Sequence, residues 1–233
     1  MRNEVPTLVL MPGLDGTGLL FERFVSALPP NIRTCIIEYP RGAVPLEEYA
    51  AVVAGRLPAG RVVLLAESFS GIVASYLLRT HHVLAEKVIF VASFGSTPRR
   101  YLKVLLPFFP AIAWSIPFIP SATWRYFCLG AGATPTDIAR LKGVLAQVNP
   151  SVVSHRLKPV AMAKIANDPR IDVPAYYLQA EGDRLVPHSA AEHLRRLFSH
   201  LTLLHVPGPH FLLQASPIEC AQLIAGIMLD APK

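Results

Sequence analysis

Short apolar runs alternate with helical spacings along most of this 233-residue chain, and few folds accept that alternation. T-L-V-L-M (Thr7 to Met11), R-T-C-I-I-E-Y (Arg33 to Tyr39), R-V-V-L-L-A (Arg61 to Ala66) and K-V-I-F-V-A-S (Lys87 to Ser93) read as strands buried on both faces. Between them, Leu19, Leu20, Phe24, Val25 and Leu28 recur at helical spacing, as do Leu46, Tyr49, Ala50, Val53 and Leu57. Strand, helix and strand in succession make βαβ units, hence an α/β fold: a mostly parallel sheet with helices on both faces. The pattern resumes after Asp172 with a strand from Pro174 to Ala180, a helix from Ser189 to Phe198, a strand from Leu201 to Val206 and a helix from Pro217 to Met228. Ser216 is the expected N-cap of that last helix, and proline is tolerated in its first turn. Residues 97–171 break the alternation and read as a helical cap inserted into a core made of 1–96 and 172–233.

Within this frame, Arg61 to Ala74 reads R-V-V-L-L-A-E-S-F-S-G-I-V-A, a strand, a sharp turn and the start of an apolar helix. A serine hydroxyl is a poor nucleophile until a strained turn holds it out toward a base. Ser68 is the candidate. Ala66 and Ser70, with Gly71 following, supply the small residues that let strand and helix approach, a relaxed form of G-x-S-x-G. On its own the pattern also suits a helix N-cap, so the partners decide.

E-G-D-R-L-V-P (Glu181 to Pro187) follows a late strand and places Asp183 as the acid, although an Asp after Gly also suits a turn that caps its own backbone. V-P-G-P-H-F-L-L (Val206 to Leu213) follows the last strand and places His210 as the base. Of the eight histidines, His81 and His82 end a helix, His155 lies in the cap, and His188, His193 and His200 read as surface helix positions. His205 lies within a strand. Only His210 falls in a loop directly after a strand, at the edge where parallel sheets carry their sites. Ser, Asp, His in that chain order is the order of α/β-hydrolases and not of chymotrypsin or subtilisin.

A tetrahedral intermediate also needs donors for its oxyanion. M-P-G-L-D-G-T-G (Met11 to Gly18) follows the first strand, and its glycines let backbone approach a ligand. It lacks the G-K-[ST] of a phosphate-binding loop and the glycine order of the dinucleotide fingerprint. The backbone N–H groups of Leu14 and Phe69 are therefore the expected oxyanion donors, and Asp15 reads as a turn residue. Glu67, next to Ser68, is read as a surface residue on the turn rather than one that tunes the site.

Val104 to Trp124 contains no charged residue in 21 positions, so a membrane span is the rival reading. Pro107, Pro110, Pro117 and Pro120 would each break the helix that hydrocarbon demands, and no transmembrane span is expected. The stretch reads instead as short helices over a cleft, an apolar wall for an acyl chain with Phe108, Trp114, Phe118 and Trp124 as its substrate-contacting candidates. A lipid-touching surface is the alternative. Between Thr97 and Arg170 ten basic residues meet two acidic ones, a local charge of +8 in a chain whose total is +6. Arg125, Arg140, Lys142, Arg156 and Lys158 are the candidates for contact with an acidic partner, either an acyl carrier protein, coenzyme A or an anionic lipid surface. The same charges also serve to keep an apolar cap soluble.

Cys35, Cys128 and Cys220 are far apart, odd in number and without metal-ligand spacing, so buried thiols are expected and no metal. The apolar run near the N-terminus is too short for a signal-peptide core, which makes the cytoplasm the expected location.

The segments Pro12 to Gly18, Ala66 to Gly71, Glu181 to Pro187 and Gly208 to Phe211 resemble those of the α/β-hydrolase superfamily, over essentially the full length of the chain. The resemblance implies a cap inserted after the sixth strand and a Ser68, His210, Asp183 triad that needs no cofactor. The chain departs from the family in Met11-Pro12-Gly13, where His-Gly is usual, and in Ala66 and Ser70, where glycines are usual. Serine at the elbow sets it apart from haloalkane dehalogenases and epoxide hydrolases, which use aspartate there. P-G-L-D-G-T-G is similar to the matching loop of plant acyltransferases that esterify phytol, and size and basic cap resemble the pimeloyl-carrier-protein methyl esterases. The expected reaction is hydrolysis of a carboxylic ester or thioester of an apolar acid, with acyl transfer, a lyase reaction or lipid-directed esterase activity as alternatives. The expected partner is a small acyl ester, free or on an acidic carrier, and no nucleic acid.

Overall fold

The computed structural model describes residues 5–81, 83–95, 119–162, 165 and 169–230. The N-terminal part runs β1 (Thr7–Met11), a 3-10 turn (Leu19–Phe21), α1 (Glu22–Ala27), β2 (Thr34–Ile36), α2 (Leu46–Arg56), β3 (Val62–Glu67), α3 (Ser70–Thr80) and β4 (Ala85–Val91). Next come α4 (Ser121–Trp124), which continues into a π-helical turn (Arg125–Leu129), then α5 (Pro135–Leu145) and α6 (Pro150–Met162). The chain closes with β5 (Ala175–Ala180), α7 (Ala190–Leu197), β6 (Leu201–Val206), α8 (Leu212–Ala215) and α9 (Pro217–Leu229).

The six strands form one sheet in the order β2-β1-β3-β4-β5-β6, and every neighbouring pair is parallel. Side chains alternate across a strand, so the inner strands feed two cores. Leu8, Leu10, Val63, Leu65, Ile89 and Val91 pack on one face with Phe24 of α1 and Ile224 of α9. Val9, Met11, Leu64, Ala66, Val88 and Phe90 pack on the other with Val53 of α2 and Val73 of α3. All six residues of β3 are buried, and each of its large aliphatic side chains is worth about 1.5–3 kcal/mol relative to exposure. The register pairs Met11 with Ala66, Glu67 with Val91 and Ala180 with Val206, which brings the loops that follow these strands to one edge.

Four strands are shorter or shifted relative to the sequence reading, β3 and β5 by one residue and β2 and β4 by more. β2 covers only Thr34–Ile36, because the chain then turns toward the loop after β1, with Tyr39 N donating to Gly16 O at 2.8 Å. β4 stops at Val91 because Ala92 adopts φ +44° and bends the chain away. Ser216 stands at the N-cap position of α9 but its side chain makes no capping hydrogen bond. Among the described residues, four strands precede the stretch 97–171 and two follow it, so the break in the alternation falls between β4 and β5. Ile138, Leu141 and Val144 of α5 join Cys128 and Leu129 in a third cluster that rests on Leu20, with Phe211 and Trp124 beside it. Among the described residues no helix is long and apolar enough to cross a membrane.

Candidate active site

β3 ends at Glu67 and α3 begins at Ser70, so the turn between them consists of Ser68 and Phe69 alone. Ser68 adopts φ +48°, a left-handed conformation that costs an L-residue roughly 1–3 kcal/mol. Neighbouring groups hold it there: Ser68 N donates to Val91 O at 3.0 Å, and Ser93 Oγ donates to Ser68 O at 2.7 Å. Gly71 lets α3 approach that same loop, since a Cβ there would stand 2.1 Å from Ser93 Oγ and 2.6 Å from Phe94 O. Sequence, backbone strain and close packing thus produce one result, a serine hydroxyl standing clear of the strand.

The loops after β5 and β6 supply its neighbours. His210 Nε2 lies 3.0 Å from Ser68 Oγ, and His210 Nδ1 lies 2.8 Å from Asp183 Oδ2. Gly182 N donates to Gly208 O at 2.8 Å and pins the two loops together. Asp183 answers both readings of its position: Oδ2 meets the imidazole, while Oδ1 accepts from Leu185 N and Val186 N, each at 2.8 Å. The turn that the acid caps is what orients it. His210 is buried, whereas His81 and His205 are exposed. His188 and His200 are exposed too but sit in turns rather than helices; His82 lies outside the described residues.

The loop after β1 lies over Ser68, and a Cβ on Gly13 would be 3.8 Å from that of Ser68. Asp15 closes the turn there, with its Oδ2 accepting from Thr17 N at 2.9 Å and from Thr17 Oγ1 at 2.6 Å. Among the described residues, neither the Leu14 amide nor the Phe69 amide donates to a backbone carbonyl in the loops and turns. Ser70 does more than stay small. Its hydroxyl donates to Pro12 O at 2.5 Å, so the Tyr39 hydroxyl, 2.5 Å away, donates in turn to Ser70. Sequence reasoning missed this bond because the residue fitted a size rule.

Glu67 overturns its surface reading. It is 2% exposed, and Gln214 Nε2 donates to its Oε1 at 3.0 Å. Burial pushes its carboxyl up to about 8, opposed by the Gln214 hydrogen bond and reinforced by the nearby Asp15 charge. The strand register that hides Glu67 is visible only once β4 and α8 are in place.

A cavity of about 250 Å³ opens beside Ser68 and His210, walled by Leu14, Trp124, Phe127, Cys128, Leu145, Val153 and Leu185 among others. Trp124 thus lines it, while Phe108, Trp114 and Phe118 lie outside the described residues. Cys128 contributes an inert wall, since burial pushes its thiol up to about 12. Among the described residues no group of His, Cys, Asp and Glu is arranged to hold a metal.

The basic candidates separate. Arg156 is corrected: it is 2% exposed and bonded to the loop carbonyls of Leu14, Asp15 and Pro40, so it cannot meet a partner at the surface. Arg140 pairs with Glu22 on α1. Arg125 and Lys142 are half-buried, and Lys158 is exposed.

A parallel α/β sheet with Ser68, His210 and Asp183 assembled at its C-terminal edge defines the class. A model of the alpha/beta hydrolase family matches residues 8–223, and the chain belongs to that family. Solved structures agree on the fold. A bromoperoxidase from Bacillus anthracis superposes with a TM-score of 0.82 at 15% identity, over 97% of this chain and 92% of that one. An esterase from Exiguobacterium antarcticum gives 0.80 at 13% identity, over 97% and 92%, and MenH from S. aureus gives 0.78 at 14%, over 97% and 94%. The sequence matches none of the curated proteins compared with it.

Proposed function

We propose that this α/β hydrolase is a serine esterase that cleaves a carboxylic ester or thioester of an apolar acid through an acyl-enzyme on Ser68. The observation that carries the reading is the chain of contacts from Ser68 Oγ to His210 Nε2 at 3.0 Å and from His210 Nδ1 to Asp183 Oδ2 at 2.8 Å. His210 takes the hydroxyl proton as Ser68 Oγ attacks the acyl carbon, and Asp183 holds the imidazole in the tautomer whose Nε2 is free to accept it. The same proton passes to the departing alcohol or thiol, and water then enters by the same route to release the acid. The Leu14 and Phe69 amides receive the oxyanion, a contribution of several kcal/mol when such donors are preorganised.

The cavity supports an apolar acyl group, since Trp124, Phe127, Leu145, Val153 and Leu185 offer it no hydrogen-bonding side chain apart from the Trp124 indole. A small free ester fits better than an ester on an acidic carrier. Of the five basic residues that suggested such a carrier, Arg156 is buried and Arg140 already pairs with Glu22.

The test is covalent labelling with a fluorophosphonate followed by mass mapping. The expected adduct is on Ser68, absent in Ser68→Ala, which also loses turnover of p-nitrophenyl acyl esters; turnover retained in that variant sinks the reading. Product analysis with and without an acceptor alcohol separates hydrolysis from acyl transfer, because only hydrolysis yields free acid alone.

A further inference from the structure

α6 belongs to the stretch outside the βαβ pattern, yet its Arg156 is the largest fully buried side chain among the described residues. A guanidinium keeps its charge at any usable pH, and removing one from water costs several kcal/mol unless its protons find acceptors. Among the described residues no carboxylate pairs with it. Carbonyls do so instead: Nη1 donates to Leu14 O at 2.6 Å and Asp15 O at 2.7 Å, and Nη2 donates to Pro40 O at 2.9 Å. The guanidinium carbon also lies 5.9 Å from the centre of the Tyr49 ring. Gly16, at φ +68°, leaves room for it, since a Cβ there would stand 2.4 Å from Nη1.

Leu14 carries one of the two amides assigned above to the oxyanion. Its loop contains Gly13, Gly16 and Gly18, and glycine by itself lets backbone move. A planar group bonded to two successive carbonyls removes that freedom from the peptides that follow the Leu14 amide. The rest of the 119–162 stretch acts alike on the other two loops. Arg184 Nη1, next to Asp183, donates to Tyr126 O at 2.9 Å, and Phe211 N, next to His210, donates to Cys128 O at 2.9 Å. These carbonyls lie in the π-helical turn at the end of its helix, where carbonyls lack intrahelical partners.

We propose that Arg156 is a positioning residue that sets the oxyanion loop from α6, so that the stretch between β4 and β5 builds the site as well as covering it. The inference rests on the serine-esterase reading.

The test compares the full-length protein with Arg156→Ala and Arg156→Lys on a p-nitrophenyl ester, with kcat expressed per site titrated by fluorophosphonate. A loop displaced by about 1 Å costs on the order of a hundredfold. The expected result is a fall of about that size in kcat for Arg156→Ala, KM within about threefold of the wild type, and partial recovery with ethylguanidinium. Arg156→Lys stays low, because one ammonium does not span three carbonyls. If circular dichroism shows Arg156→Ala unfolded, the kcat and KM of Arg156→Lys decide. A kcat per titrated site within about twofold of wild type, a loss confined to KM, or no recovery with ethylguanidinium in a folded Arg156→Ala overturns the role of Arg156. Failure of Ser68 to label, with Ser68→Ala still active, overturns both readings together.

Discussion

Gln214 Nε2 donates to Glu67 Oε1 at 3.0 Å, so a helix near the C-terminus holds a carboxyl group directly beside Ser68 in the chain. Burial moves Glu67 from an ordinary 4.5 to about 8 in the folded protein, while the unfolded chain keeps the ordinary value. Between these two pH values the unfolded state has released a proton that the folded state still holds. Stability therefore falls as pH rises through that window, by up to about 1.4 kcal/mol per pH unit, and levels off above it. Glu67→Gln removes this slope, so its melting temperature rises relative to wild type from pH 4.5 to 8 in parallel thermal melts. A constant difference across that range refutes the assignment.

Asp183 divides its oxygens between His210 and its own turn, and two substitutions separate the roles. Asp183→Asn keeps an acceptor for the Leu185 and Val186 amides but disfavours the imidazole tautomer that catalysis uses. We expect kcat to fall by about 10⁴ with little change in melting temperature. Asp183→Ala also leaves the turn amides unpaired, and chemical denaturation should show a further loss on the order of 1 kcal/mol.

Ser70→Ala keeps the small side chain that the elbow needs and removes only the hydroxyl bond to Pro12 O. Leaving that carbonyl and the Tyr39 hydroxyl short of a partner costs roughly 1–3 kcal/mol in a urea melt. Steady-state kinetics should place the catalytic loss in kcat, since Pro12 belongs to the loop over Ser68 and does not line the cavity beside it.

Trp124→Ala enlarges the cavity beside Ser68 and removes apolar contact. A series of p-nitrophenyl esters should show kcat/KM falling most for the acyl chains that reach Trp124, about tenfold for a contact worth 1–2 kcal/mol, with the acetyl ester little changed. Equal effects on all chain lengths would remove Trp124 from the substrate wall.

Much of the fold is legible in periodicity. β1 coincides with the apolar run at Thr7–Met11, because continuous hydrophobicity is what burial on both faces of a sheet requires, and the edge strand β6 coincides with Leu201–Val206, where Thr202 and His205 are exposed. The positions of Ser68, Asp183 and His210 follow from the same reading, each being the loop residue after a recognisable strand. Glu67 and Arg156 were not legible. A carboxylate and a guanidinium are surface residues by default, and nothing within a few positions of either shows that Gln214 or the carbonyls of Leu14, Asp15 and Pro40 will meet it.

By itself the sequence determined the alternation of strands and helices, the strained turn at Ala66 to Gly71 and the order of the three loop residues, because those are properties of neighbours along the chain. Only the tertiary structure decided which polar groups lie inside. Ser68 and His210 meet across 142 positions, and Arg156 reaches the Leu14 carbonyl across the same number. Hydrogen bonds over such separations depend on how helices and loops pack on the sheet, and that packing turns a charged residue of α6 into the clamp on the loop over Ser68.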